Sequence, residues 1–259
     1  MDLGISGRTA IVCASSRGLG RGCAEALAAA GCNLVINGLD AVRLDATASD
    51  IRARFGVDVT PVVANVSTGE GQEALLAACP EPDILVNNNG GPPRRDYREL
   101  DRQAMIDGVI QNMISPIEMI QKVADGMAER GFGRIVNITS ITVRMPLAGL
   151  DLSSGARAGL TAFLAGVGRP YAARNVTLNN LLPGKMDTDR LRGGLEQAAK
   201  TAGRSVEEVG QAQAAEIPAG RFGTAAEFGQ VCAFYCSVHA GYVTGQNILV
   251  DGGLYPAAF

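Results

Sequence analysis

The sequence predicts an α/β fold in which about seven parallel strands form a doubly wound sheet with helices on both faces. Short apolar runs of strand length alternate with Ala-rich or Leu-spaced segments of helix length along all 259 residues. A glycine-rich turn joins the first strand to the first helix, and the last strand ends in Asp-Gly-Gly. This alternation is typical of one α/β domain, and we expect a single domain over residues 1–259.

The strands are predicted from apolar, β-branched runs that end at turn residues. They cover residues 9–13, 33–37, 58–64, 83–87, 134–139, 176–182 and 247–250. The helices are predicted from the Ala-rich and amphipathic segments between these runs. They cover residues 21–30, 41–55, 102–130, 153–173, 189–201 and 206–216, with one more starting near Thr224.

Residues 187–218 interrupt this rhythm with two predicted helices and no strand. Ser205 and Glu208 have the spacing of a capping box at the start of the second helix. An insert above the carboxyl ends of parallel strands is typical of a lid over a ligand site, so we expect a helical lid here. A hairpin that only fills out the fold or forms an oligomer interface is the alternative.

Composition limits the class of function. A formal net charge of −3 gives no clustered positive field for nucleic acid, and no apolar run is long enough to cross a membrane. The first residues have no basic, cleavable apolar leader, so we expect a cytoplasmic protein with small-molecule ligands. Six scattered Cys are expected to be core residues; Cys232 and Cys236 lack further ligands for a metal, and no metal site is predicted.

Three residues around the fifth predicted strand form the candidate active site. The strand delivers Ser140, and the helix that follows carries Ser153 and Arg157. Four residues apart on a helix, Ser153 and Arg157 share one face, and both side chains can point back to the strand end. The spacing therefore indicates a site at the carboxyl edge of the sheet.

The turn between the first strand and the first helix has the pattern of a phosphate-binding loop. It reads Ala-Ser-Ser-Arg-Gly-Leu-Gly over residues 14–20. A Cβ at Gly18 or Gly20 would obstruct the approach of a pyrophosphate to the backbone N–H groups and the positive helix end. One glycine pattern is weak evidence, but here a βαβ continuation follows it.

Taken in order, these segments resemble the short-chain dehydrogenase/reductase family, which has a Rossmann fold. The family's Thr-Gly-x-x-x-Gly-x-Gly is present with Cys13 and Ala14 in place of the leading Thr and Gly, and residues 87–90 resemble its Asn-Asn-Ala-Gly. The family also has a catalytic Ser, followed thirteen residues later by Tyr-x-x-x-Lys. Here Ser140 is that Ser, while Ser153 and Arg157 occupy the Tyr and Lys positions.

The resemblance implies roles for individual residues. It makes Asn112, Ser140, Ser153 and Arg157 the catalytic positions, with Asn112 holding a proton-relay water. The positions that it assigns to the cofactor are Ala14, Ser16, Arg17, Gly18, Leu19, Gly20, Gly38, Leu39, Asn65, Val66, Asn88, Asn89, Gly90, Arg157, Pro183, Gly184 and Thr188.

The choice of nucleotide depends on the end of the second strand. NAD-preferring members place an acid where this chain has Gly38, and NADP-preferring members often place Arg where it has Leu39. Arg17 can meet a 2′-phosphate, whereas Asp40 would oppose one. We expect NADP over NAD, with NAD left open.

The departure at residues 153 and 157 changes the expected chemistry. An aliphatic hydroxyl is a much weaker acid than a phenol, and arginine keeps its proton, so the family's acid–base pair is missing. A proton would come from Lys185, from a water held by Asn112 or from an acidic group on the substrate. His239 lies in a polar loop and is not expected to take part.

The resemblance favours an NAD(P)-dependent oxidoreductase that acts on an unidentified carbonyl or alcohol. A nucleotide-binding protein without dehydrogenase activity, serving as a sensor or partner subunit, is the alternative. Arg94, Arg144 and Lys185 are candidate substrate contacts that, with Arg157, would suit an anionic substrate, although surface arginines are usually only solvated. The family is commonly tetrameric, so we also expect a homotetramer.

Overall fold

The computed structural model describes residues 1–92 and 94–257 and contains a seven-stranded, fully parallel sheet. Its strands are β1 (Thr9–Val12), β2 (Asn33–Gly38), β3 (Val59–Val63), β4 (Ile84–Asn87), β5 (Gly133–Ile138), β6 (Val176–Pro183) and β9 (Asn247–Val250). Their order is β3-β2-β1-β4-β5-β6-β9. The predicted doubly wound fold is confirmed, and each predicted strand lies within two residues of its observed bounds.

Helices cover both faces of the sheet. Those before the lid are α1 (Gly18–Ala29), α2 (Ala41–Phe55), α3 (Gly69–Ala78), α4 (Arg102–Val109), α5 (Ser115–Glu129), α6 (Asp151–Val167) and α7 (Arg169–Ala172). The others are α8 (Asp189–Ala202), α9 (Val206–Ala215) and α10 (Ala225–Cys236). On one face of the sheet, α1, α2 and α10 enclose an apolar core. On the opposite face, α3, α5 and α6 enclose a second one.

Two predicted helices differ in detail from those observed. The segment predicted as one helix over 102–130 contains a π-helical turn, Ile110–Ile114, between α4 and α5. The segment 153–173 begins earlier, at Asp151, and divides into α6 and α7. The sequence reading also missed α3, whose first turn contains two glycines and is capped by the Thr68 side chain.

The region predicted as a lid forms a small helical unit. Leu195 and Ala199 of α8 pack against Val209 of α9, and the predicted Ser205–Glu208 capping box is present. A two-residue ladder of β7 (Met186–Asp187) and β8 (Gly223–Thr224) closes its base.

The first and last long helices cross at very close range. A Cβ added to Gly229 of α10 would lie 2.1 Å from the carbonyl oxygen of Gly22 in α1, and one added to Gly22 would lie 2.1 Å from the oxygen of Ala225. No side chain fits at either position, so backbone packs on backbone. This contact fixes α1, the helix that follows the glycine turn, against α10.

The six cysteines are free and buried, Cys232 and Cys236 among them. Within residues 1–92 and 94–257, no cluster of His, Cys, Asp and Glu has the arrangement of a metal site. No helix in the same part of the chain is long and apolar enough to cross a membrane.

Candidate active site

A cleft opens at the carboxyl ends of β4 and β5, between the π-helical turn and α6. It encloses about 320 Å³ of empty space, counted to its open mouth. Amide side chains dominate its lining: Asn87, Asn88, Asn89, Gln111, Asn112 and Asn137. Arg157 is the one charged side chain that lines it among the residues that the structure describes. Among the described residues, the lining is therefore uncharged apart from Arg157.

Arg157 is nine-tenths buried and reaches from α6 to the end of β5. Its Nη1 donates to the carbonyl oxygens of Ile138 (2.7 Å) and Thr139 (3.0 Å), and its Nε donates to Ser153 Oγ (3.2 Å). The predicted meeting of Ser153 and Arg157 beside the strand that leads to Ser140 is thus present in the structure. Burial, reinforced by the charge of Arg190, lowers the pKa of Arg157 to about 10, so it stays cationic at neutral pH.

A second buried arginine shows how a structural arginine is satisfied in this chain. Arg134 Nε donates to the Ser237 carbonyl oxygen, and its Nη1 donates to the carbonyl oxygens of Gly133 and Asn175. Its Nη2 donates to the side-chain oxygen of Asn175. Arg157 uses Nε and Nη1 in the same way, but its Nη2 makes no hydrogen bond with the described residues. Since Arg157 also lines the cleft, one edge of its guanidinium remains available to a ligand.

Asn112 sits in the π-helical turn with an unsatisfied carbonyl oxygen. Its Nδ2 donates to Gly108 (3.3 Å), while its Oδ1 is buried without a partner among the described residues. A buried amide oxygen without a donor is costly unless water or a ligand supplies one. Because Asn112 lines the cleft, its position fits the predicted role of holding a water.

Ser140 follows β5 and is oriented by Thr142. Both the backbone N–H (3.1 Å) and the side-chain hydroxyl (3.0 Å) of Thr142 donate to Ser140 Oγ. With its acceptor capacity engaged, the Ser140 hydroxyl can direct its own hydrogen elsewhere. The sequence reading did not identify Thr142, because a contact within a single turn after a strand carries no periodic signal.

The glycine turn is held tightly by amide side chains. Ala14 has φ 45°, a left-handed conformation, where the family pattern has Gly. Its N–H donates to Asn37 Oδ1 (3.1 Å), and its carbonyl accepts from Asn88 Nδ2 (3.1 Å). A Cβ at Gly20 would lie 2.4 Å from the Ala14 oxygen. The turn therefore lies directly against α1, and no side chain caps that helix.

Residue 38 at the end of β2 has little room for a side chain. A Cβ at Gly38 would lie 3.0 Å from Ser16 Oγ, so an acid here would displace Ser16 by a few tenths of an ångström. Leu39 is exposed, and Asp40 caps α2 by accepting from Arg43 N. No carboxylate of residues 38 or 39 therefore stands where a ribose-binding acid is expected.

Both sides of the cleft contact the start of α8. Arg17 pairs with Asp189 (3.2 Å), and a Cβ at Gly18 would be 3.8 Å from the Thr188 methyl group. Arg190 donates to the carbonyl oxygens of Gly91 and Pro92, both at 2.9 Å. The first turn of α8 thus bridges the glycine turn and the loop after β4.

Comparisons with known proteins identify the family. The family model described as "Enoyl-(Acyl carrier protein) reductase" matches residues 13–255. The curated 3-oxoacyl-[acyl-carrier-protein] reductase FabG of Aquifex aeolicus is 32% identical over 98% of this chain and 100% of its own length. The chain belongs to the short-chain dehydrogenase/reductase family. The predicted family and fold are thereby confirmed.

Solved structures of the family agree over nearly the whole chain. L-sorbose reductase from Gluconobacter frateurii, crystallised with NADPH and L-sorbose, has a TM-score of 0.94 and 28% identity over 99% of this chain and 100% of its own. A structure titled short chain dehydrogenase/reductase family protein has a TM-score of 0.84 and 30% identity over 99% of this chain and 100% of its own. None of these findings supports a non-enzymatic sensor.

The remaining family cofactor positions surround the same carboxyl edge. Asn89 donates to Ser67 Oγ and to the Gln111 carbonyl, so it ties the loop after β3 to the π-helical turn. Asn65 and Val66 lie in that loop, and Gly90 donates to Asn89 Oδ1. Pro183 ends β6, Gly184 donates to the Val250 carbonyl, and Leu19 packs on the core beside the glycine turn.

The candidate substrate contacts lie apart from one another. Lys185 donates to Glu216 Oε2 (2.7 Å), so its ammonium group is already paired. Arg94 and Arg144 are exposed, with the Arg94 stem against Gly149. His239 contacts the Asp2 carbonyl oxygen, away from the cleft. Within the part of the chain that the structure describes, Lys185, Arg94 and Arg144 therefore make no hydrogen bond with Arg157.

Four asparagines form a ladder across the sheet that the sequence reading did not foresee. Asn87 Nδ2 donates to Asn137 Oδ1 (2.9 Å), Asn137 to Asn180 (2.9 Å) and Asn180 to Asn247 (2.8 Å). These residues are register partners on β4, β5, β6 and β9. Two of them, Asn87 and Asn137, line the cleft, so the ladder forms part of its floor.

Proposed function

We propose that the protein is an NADPH-dependent reductase of a small carbonyl compound, with Ser153 and Arg157 replacing the family's Tyr and Lys. The observation that carries the proposal is the cleft with the Arg157 cation in its wall, because Asn88 of its lining donates to the carbonyl of Ala14 in the glycine turn before the uncapped helix α1. Both named relatives above are reductases, and one of them binds NADPH.

The residues present fit NADPH on two independent observations. No side chain caps α1, so the N–H groups of its first turn can bind a pyrophosphate, and Asn112 offers an unsatisfied oxygen in the cleft. The glycine turn would hold the pyrophosphate, and Asn88 and Asn89 would border the nicotinamide half. NADPH supplies a hydride when bound. The absence of an acid at Gly38 and Leu39 favours the 2′-phosphate over a bare ribose.

The chain's own residues then have distinct tasks. Ser140, oriented by Thr142, donates a hydrogen bond to the substrate oxygen. Arg157 keeps a positive charge near that oxygen and anchors α6 to the end of β5. Ser153 accepts from Arg157 and is itself buried, so it orients the cation and does not protonate the substrate.

We further propose that residues 187–218 are the lid of this site. Arg17–Asp189 and the two Arg190 hydrogen bonds join the lid to the glycine turn and to the loop after β4. Arg190 lies near enough for its charge to lower the pKa of Arg157, so a second positive charge stands close to the cleft, although Arg190 does not line it. This charge suits an anionic substrate, in which a carboxylate or a phosphate lies near the lid.

A homotetramer is the proposed assembly. Apolar side chains are exposed on α6 (Phe163) and around the end of the chain's last helix (Phe234, Val238 and Tyr242). Exposed groups of this kind are typical of buried interfaces in oligomers. Light scattering at micromolar concentration is expected to give four copies; a monomer would contradict the assembly.

Binding and turnover test the function separately. Calorimetric titration is expected to show saturable NADPH binding that is tighter than NADH binding. A panel of carbonyl compounds, followed by the near-ultraviolet absorbance of the reduced nicotinamide, is expected to contain a substrate. Saturable binding without turnover across the panel would instead favour the nucleotide-binding alternative.

The double variant Ser153→Tyr, Arg157→Lys tests whether the unusual pair is specialised. A tyrosine ring at 153 would enter the small pocket bounded by Pro92, Leu100 and Leu150, and lysine would lose the fork that holds β5. Native turnover is expected to fall by about tenfold or more. A gain on the native substrate and on a simple ketone would show that the pair is a relic.

A further inference from the structure

Arg157 is a buried charge in the wall of the cleft that no carboxylate balances. Its hydrogen-bond partners, Ile138, Thr139 and Ser153, supply neutral oxygens, and no acidic side chain lines the cleft among the described residues. Burial, with the neighbouring charge of Arg190, lowers the pKa of Arg157 to about 10. A buried cation is stabilised by a nearby anion, so this wall of the cleft favours a negatively charged ligand.

The guanidinium of Arg157 has donors left for such a ligand. Arg134, which is also buried, uses all three of its nitrogens in hydrogen bonds with the protein. Arg157 uses Nε and Nη1, and its Nη2 has no partner in the part of the chain that the structure describes. Nη2 carries two N–H groups, which can donate to the oxygens of an oxyanion.

Asn112 has the opposite requirement. Its Nδ2 donates to the Gly108 carbonyl oxygen, which fixes the orientation of the amide because Oδ1 has no hydrogen to donate there. Oδ1 is left without a donor among the described residues, although Asn112 is only 3% exposed and lines the same cleft as Arg157. A chloride ion or a plain carboxylate satisfies Arg157 and leaves Asn112 unsatisfied, so the matching anion brings a hydroxyl hydrogen.

A water molecule meets the two hydrogen-bond requirements but not the charge. It can donate to Asn112 and accept from Arg157, yet it is neutral. Among the described residues, the cleft is also lined by four apolar side chains, those of Val66, Pro116, Ile138 and Leu160. Their surface favours a ligand with a carbon skeleton over a mineral anion. The space of about 320 Å³, counted to the open mouth, limits that ligand to a small molecule.

We infer that the cleft binds a small 2-hydroxy carboxylate, whose carboxylate accepts from Arg157 Nη2 and whose hydroxyl group donates to Asn112 Oδ1. Its single negative charge matches the one cation among the described lining residues. The inference rests on the proposed reductase and names its product class, because reduction of a 2-oxo carboxylate gives a 2-hydroxy carboxylate. The binding itself needs neither cofactor nor turnover, so it is measured apart from the reaction.

Three probes of similar shape separate the charge from the hydroxyl group. They are lactate, 2-methylpropanoate, in which a methyl group replaces the hydroxyl, and lactamide, in which a neutral amide replaces the carboxylate. In calorimetry at constant ionic strength and neutral pH, lactate is expected to bind about tenfold or more tightly than either analogue. Equal binding of 2-methylpropanoate or of lactamide would overturn the inference, and no binding of lactate would leave an ordered water only.

Two variants assign the contacts to the two residues. Asn112→Leu should weaken lactate binding by about tenfold, to the level of 2-methylpropanoate, while the binding of 2-methylpropanoate stays unchanged. Arg157→Met should remove the binding of both carboxylates and leave that of lactamide unchanged. Misfolding does not produce this pattern, in which one variant loses the preference for the hydroxyl group and the other loses the preference for charge.

Each variant has a matched control. Thr177→Val removes a second buried side-chain oxygen that lacks a partner among the described residues and does not line the cleft. Arg169→Met removes an exposed arginine from α7. Both controls should bind lactate as wild type does. If circular dichroism shows that Arg157→Met does not fold, Asn112→Leu decides with the same probes, and an unchanged preference for lactate in folded Asn112→Leu would overturn the inference.

Turnover separates the failure of this inference from the failure of the proposed function. With saturating NADPH, kcat/KM is expected to be at least about tenfold higher for pyruvate than for butane-2,3-dione, a neutral ketone of similar shape. Faster reduction of the dione than of pyruvate would overturn the inference and leave the reductase intact. Selective binding of lactate without reduction of any carbonyl compound would support the binding site and overturn the reductase.

Discussion

Removal of Asn180 tests the asparagine ladder, and its cost can be worked out from the hydrogen bonds. Asn180→Ala leaves Asn137 Nδ2, on a residue that is 1% exposed, without an acceptor, which costs about 1–3 kcal/mol. It also removes the bond to Asn247, which is only partly buried and can turn to water, at about 0.5–1 kcal/mol. We therefore expect a loss of about 1.5–4 kcal/mol in unfolding free energy.

Thermal and urea unfolding, followed by circular dichroism at one protein concentration, measure this loss. For a chain of this size the loss corresponds to a fall of about 3–16 °C in Tm. Asn247→Ala is the comparison, because it breaks one bond of the ladder instead of two and leaves the buried Asn180 Nδ2 without its acceptor, at about 1–3 kcal/mol. A negligible loss for Asn180→Ala, or a larger loss for Asn247→Ala than for Asn180→Ala, would refute the cost assigned to the ladder.

Three further predictions concern the cofactor side of the cleft and its charge. Gly20→Ala should weaken NADPH binding by about tenfold or more in calorimetry, since its Cβ would lie 2.4 Å from the Ala14 oxygen; Gly69→Ala, where a Cβ meets nothing within 4 Å, should leave binding unchanged. Gly38→Asp should shift the NADPH-to-NADH affinity ratio by about tenfold towards NADH, because its carboxylate repels a 2′-phosphate, and an unchanged ratio would contradict it. In a pH series, kcat/KM should be level near neutral pH and fall as pH rises through about 10, where Arg157, next to the charge of Arg190, loses its proton; a basic limb near pH 7 would contradict it.

The main sheet and the contact between Ser153 and Arg157 were predictable from the sequence. Strands buried on both faces appear as continuous apolar runs, and all seven were located in this way. The four-residue spacing of Ser153 and Arg157 predicted a shared helix face, and the structure has their side chains in hydrogen-bond contact. Local periodicity was sufficient for both results.

Contacts that depend on strand register or on one turn could not be predicted. Asn137 and Asn180 are polar residues in apolar runs, and nothing in the sequence shows that they are opposite one another until the register is known. The structure gives a different reason for glycine at residue 18 from the one expected. Among the described residues, a Cβ at Gly18 would meet only the Thr188 methyl group, at 3.8 Å, so there is room for it within the protein. Glycine is favoured there because the backbone has a left-handed φ of 59°. Steric exclusion within the protein applies at Gly20 instead.

The glycine crossing of α1 and α10 has a consequence for the way the chain is made. The cofactor helix α1 is synthesised first, but the surface on which it rests, around Gly229, follows about 200 residues later. During synthesis α1 and its glycine turn therefore remain without their final support, with the apolar side of the helix exposed. Completion of the nucleotide-binding half depends on the arrival of α10, so a truncation before α10 should remove cofactor affinity although every residue proposed to bind the cofactor lies upstream.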